Sequence, residues 1–112
     1  MRPLINDATT ALLRAICARL ERVERVVFEE IVSRQWASVT FTGARHELLF
    51  RLEGPTAWAA ADCFLDNLGG AEFALRGHIL ADIALVSEER FANASGEPRA
   101  RLRIEALTVE DA

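Results

Sequence analysis

At 112 residues the chain is long enough for one domain and can bury roughly two thirds of its unfolded surface, so its core needs neither a metal nor a disulfide framework. Hydrophobic residues make up 51%; nineteen alanines inflate that figure, but Leu, Ile, Val and Phe are frequent enough to exclude a disordered chain. A net charge of −4 argues against a protein held to phosphate by general attraction, unless it gathers its arginines on one face.

All thirteen basic residues are arginine, which together with the abundant alanine is the mark of a GC-rich coding sequence. Cys17 and Cys63 stand in no CxxC or zinc-type spacing, which predicts free thiols in a reducing compartment. With no cation or histidine beside it in sequence, Cys63 is expected to be a buried spectator. The start MRPLINDATT lacks the apolar stretch of a signal peptide, and no run approaches the ~20 apolar residues that cross a bilayer. These features predict a small bacterial cytoplasmic protein without membrane association. Asn93-Ala94-Ser95 reads as a turn.

In chain order, Asn6 or Asp7 is placed to cap a first helix whose apolar residues Leu12, Ile16, Leu20 and Val23 recur at helical spacing, to about Glu24. From Val26 the β-branched run VVFEEIVSRQ predicts a strand, and the alternating WASVTFT from Trp36 a second one. No Gly or Pro separates them, so a single bent or bulged strand is the alternative. Gly43-Ala44 is expected to turn the chain into a strand with His46, Leu48, Phe50 and Leu52 on one side and Arg45, Glu47, Leu49, Arg51 and Glu53 on the other.

Gly54-Pro55-Thr56 predicts a break and a helix cap, followed by a helix that buries Ala57, Ala61, Phe64, Leu65 and Leu68 and ends at Gly69-Gly70. The stretch Phe73–Ser87 predicts a strand with Phe73, Leu75, Ile79, Ala81, Ile83 and Leu85 inward. RARLRIEALTV supplies a last strand with Leu102, Ile104 and Ala106 inward. The order α-β-β-(β)-α-β-β over a single domain, 1–112, predicts an α+β two-layer sandwich: an antiparallel sheet of four to five strands with two helices packed on one face.

The face opposite the helices is then half apolar. Leu49, Leu80, Ala84, Val86, Leu107 and Val109 are predicted to fall there, and an exposed patch of that kind marks a self-associating or protein-interaction module, with a homodimer as the simplest product. The charges of the same face (Arg45, Glu47, Arg51, Glu53, Arg101, Arg103 and Glu105) are expected to form cross-strand ion pairs, as are Arg76, Asp82 and Glu88.

The second expectation is a small-molecule binding protein or weak enzyme using a helix–sheet crevice lined by Trp36, His46 and Trp58. A nucleic-acid adaptor using Arg99, Arg101 and Arg103 comes third, opposed by the net charge and by aromatics in phase with the core: Phe41, Phe50 and Phe73. No catalytic residue, metal or cofactor is predicted. His46 runs in phase with the core and His78 against it, which separates the two histidines unless a bulge intervenes.

Overall fold

Ala8, Leu12 and Ile16 stack at four-residue steps along α1 (Asp7–Arg19), and all three are buried. The computed structural model describes residues 7–66, 68–70, 73 and 75–110; the expected cap Asn6 lies outside them. The helix stops five residues before Glu24. Leu20 N–H bonds the Cys17 carbonyl and Val23 N–H the Leu20 carbonyl, both at 3.0 Å, and these tighter three-residue steps bury Leu20 and Val23 while turning the chain towards the sheet.

The region after Val26 is one bulged strand, β1 (Arg25–Ala37). Its pairing with β2 (Thr42–Glu53) passes from Phe28–Phe50 to Glu30–Leu49 and leaves Glu29 unpaired. The bulge changes which residues face the helices, from Val26 and Phe28 before it to Ile31 and Ser33 after it, so no single alternation runs through the segment.

The chain reverses at Ser38–Phe41 and not at Gly43-Ala44. Ser38 Oγ accepts the N–H groups of Phe41 (3.0 Å) and Thr40 (3.3 Å), and Ser38 N–H donates to the Phe41 carbonyl at 2.7 Å. A serine hydroxyl thus closes the turn without Gly or Pro. Gly43 lies inside β2 between Trp36 and Val109, where a Cβ would strike the Thr108 carbonyl and the Trp36 ring, so glycine serves close approach of neighbouring strands.

The inward residues of β2 are Ala44, His46, Leu48, Phe50 and Leu52, all buried. Gly54, at φ 122°, then bends the chain into α2 (Ala57–Leu65), which buries Ala57, Ala61 and Phe64. Thr56 does not cap this helix with its side chain. Its hydroxyl donates to the Arg22 carbonyl at 3.2 Å and ties α2 to the end of α1. A short 3-10 turn, Leu68–Gly70, buries Leu68 beyond the helix.

The next strand, β3, runs His78–Ala92 rather than Phe73–Ser87. Phe73 precedes it, partly buried, with the Arg19 guanidinium 4.9 Å from its ring. β3 pairs with β4 (Pro98–Glu110) through register shifts that leave Ala81 and Val86 unpaired. Asn93 Oδ1 closes the connecting turn by accepting the N–H groups of Ser95 and Glu97.

The four strands form one antiparallel sheet in the order β1-β2-β4-β3. Leu12, Ile16 and Leu20 from the α1 side and Ala57, Ala61 and Phe64 from α2 meet Leu48, Phe50, Leu52, Ala100, Leu102, Ile104 and Ala106 in one core. Both helices therefore lie on the same face of a two-layer α+β sandwich. Phe50 is central, 5.4 Å from the Phe28 ring and 5.7 Å edge-on from Phe64. Each fully buried side chain of this size contributes about 1.5–3 kcal/mol.

Candidate functional site

With both helices on one side, strand register determines what the other side presents. Taken across β1, β2, β4 and β3, the uncovered face carries the rows Trp36–Gly43–Val109–Ile79, Arg34–Arg45–Leu107–Asp82 and Val32–Glu47–Glu105–Ala84. Continuing towards the α2 end come Glu30–Leu49–Arg103–Ser87, Val27–Arg51–Arg101–Glu89 and Arg25–Glu53–Arg99–Phe91. Leu49, Ala84, Leu107 and Val109 fall where the sequence placed them. Leu80 does not: it pairs with Thr108 on the helix face and packs against the core, because the Ala81 bulge reverses the alternation. Val86 stands unpaired at its own bulge, 49% exposed.

The two halves of this face differ. Near α2, arginine and carboxylate interlock: Arg51 reaches Glu29 (2.8 Å) and Glu53 (2.6 Å), Arg101 reaches Glu29 and Glu89 (both 2.7 Å), and Arg103 reaches Glu30 at 3.0 Å. The bulged Glu29 bridges two of these arginines, a role that simple alternation could not reveal. The Arg51 hydrogen bond, aided by Arg99, holds the Glu53 carboxyl below the usual carboxylate range. Arg99, Arg101 and Arg103, the proposed nucleic-acid contacts, are engaged in this lattice.

Among the described residues, the half near the Ser38–Phe41 turn has no such lattice. Trp36, Val109 and Ile79 make an apolar row, with Leu107, Val32 and Ala84 behind it; Ile79 is 53% exposed. Between the halves two like-charge pairs stand side by side, Arg34 opposite Arg45 and Glu47 opposite Glu105. Like charges directly opposed destabilise a sheet, and among the described residues these four make no ion pair. Arg76 and Asp82 also make none, and Glu88 pairs with Arg90 on its own strand at 2.8 Å.

The crevice residues are not brought together. Trp36 is on the uncovered face and His46 on the covered one. Trp58 lies on α2 at the other end of the sheet, where its indole N–H donates to the Arg99 carbonyl at 2.7 Å.

His46 is fully buried in a hydrogen-bonded chain. Thr108 Oγ1 donates to the Ala44 carbonyl (3.3 Å), so it accepts from His46 Nε2 (2.8 Å); Nδ1 must then accept from the Ser33 hydroxyl (2.8 Å), itself 2.7 Å from Thr9 Oγ1. With Thr108 donating to the Ala44 carbonyl, a neutral His46 carries its proton on Nε2. Burial, with a smaller effect from His78, lowers its pKa to about 4. His78 pairs with Glu110 and lies on the helix face like His46, again because of the Ala81 bulge. It joins Arg14 and Arg76 around a cleft of about 640 Å³. No cluster of three or more metal-ligating side chains occurs among the described residues. Cys63 is exposed, as is Cys17, and Phe41 is 55% exposed, so neither Cys63 nor Phe41 is the core residue the sequence suggested. No helix among the described residues is long and apolar enough to cross a membrane.

No protein-family model and no curated protein matches this chain. Among solved structures, a chain from the virion of a native gene transfer agent (GTA) particle superposes with a TM-score of 0.63 at 14% identity, over 91% of this chain and 97% of that chain. At that identity the likeness is one of fold: nearly the whole of both chains shares the same α+β arrangement.

Proposed function

We propose that this protein is a non-catalytic assembly subunit of the bacterial cytoplasm that pairs with a second copy of itself through the uncovered face of its sheet. The observation that carries the proposal is the apolar half of that face, with Ile79 half exposed and Trp36, Val109 and Leu107 beside it, covered by neither helix. The fold-level likeness to a virion chain accords with an assembly role. Cys17 and Cys63 remain thiols in this setting.

The test is light scattering on a size-exclusion column with the wild type and Ile79→Glu/Leu107→Glu. Loss of a two-fold contact separates the two copies it joins, so the particle mass falls. Unchanged mass with a native circular-dichroism spectrum would remove this face from consideration.

A further inference from the structure

We infer that the protein carries a second, independent self-association contact, in which the β1–β2 turn of one copy docks into the groove between α1 and α2 of the next. Val39 at the turn is 107% exposed and Phe41 is 55% exposed, although apolar side chains of this kind belong in a core. The turn holding them is fixed by the four hydrogen bonds of Ser38, so they are presented on a preorganised tip with little ordering left to lose on binding.

At the opposite end of the sheet, where β1 begins and β2 leads into α2, lies a groove of about 340 Å³. Ala18, Ala59 and Ala60 form walls that end at Cβ, so the groove has the depth to take a larger apolar side chain. Tip and groove are separated by the length of β2, roughly 35–40 Å at ~3.4 Å per residue, and cannot meet within one molecule.

Charge favours a second copy as occupant. Glu110 stands beside the tip, accepting a hydrogen bond from Thr42, while the groove rim presents Arg19 and Arg22 against a single Glu21. Neither arginine has a carboxylate partner among the described residues. Because tip and groove are different surfaces, the contact is head-to-tail. It extends beyond a pair and ends only when a ring closes. The face-to-face contact proposed above is not required for it.

Cys63 lies in the groove and gives a direct test. In a Cys17→Ser background that also carries Ile79→Glu/Leu107→Glu to silence the uncovered face, Val39→Cys is oxidised with diamide and run on a non-reducing gel. The expected result is a ladder of dimers, trimers and larger species that disappears when Cys63→Ser is added and falls at least tenfold with Phe41→Asp. Absence of a ladder, or dimers alone that survive Cys63→Ser, would overturn the inference. Position 39 is fully exposed, so the cysteine does not threaten folding, and either result leaves the mass test of the uncovered face intact.

Discussion

Protonating His46 should destabilise the protein steeply between pH 6.5 and 4. In the folded state Nδ1 is occupied by the Ser33 hydroxyl and the ring is fully buried, which lowers the pKa from 6.5 to about 4. The unfolded chain therefore binds more protons than the folded one within that window, and stability falls as pH falls through it. At 1.36 kcal/mol per pH unit of difference, the loss at pH 4.5 relative to pH 7.5 is about 2.5 kcal/mol. The assay is urea unfolding at pH 7.5, 5.5 and 4.5 for the wild type and His46→Gln, which retains hydrogen-bonding groups but does not titrate. Glu53, whose pKa is also lowered, acts in both proteins at the acid end, so the difference between them isolates the histidine. A ¹⁵N spectrum of the imidazole at pH 7.5 should show the proton on Nε2. Parallel stability profiles for the two proteins would mean that His46 does not set the acid sensitivity, and a proton on Nδ1 that Ser33 accepts from the ring.

Other consequences follow from single contacts. Gly43→Ala places a methyl against the Thr108 carbonyl and the Trp36 ring, and should cost roughly 1–3 kcal/mol, read as a lowered Tm; an unchanged Tm would mean that β2 and β4 are not so closely paired there. Trp58→Phe deletes the hydrogen bond to the Arg99 carbonyl and should cost about 0.5–1.5 kcal/mol in chemical unfolding, whereas no loss would show that bond to be idle. On heparin at low salt the protein should pass straight through, because Arg99, Arg101 and Arg103 are held by carboxylates; salt-dependent retention would revive the nucleic-acid alternative.

β2 and β4 were legible in the sequence because they are unbulged: Leu48, Phe50 and Leu52, and Leu102, Ile104 and Ala106, keep strict alternation and are all buried. The edge strands were not. Bulges at Glu29, Ala81 and Val86 each reverse the alternation, so Leu80 moved to the core and His78 to the helix face while Glu29 became a bridge between Arg51 and Arg101. A bulge depends on the partner strand, which a single sequence does not display. The position of the β1–β2 turn is hidden for a local reason: glycine is the usual turn signal, but here Ser38 closes the turn and Gly43 admits Trp36 and the Thr108 carbonyl. Of the candidate interaction face, Leu49, Ala84, Leu107 and Val109 were readable from alternation, whereas Ile79 was hidden by the Ala81 bulge.

The measurement that bears most directly on an assembly role is the mass of the purified protein by light scattering over a hundredfold range of concentration, for the wild type and Ile79→Glu/Leu107→Glu. The expected result is a wild-type mass at least twice the 12.4 kDa of one chain and a lower mass in the variant, with secondary structure unchanged. A wild type that stays at 12.4 kDa throughout the range would contradict it.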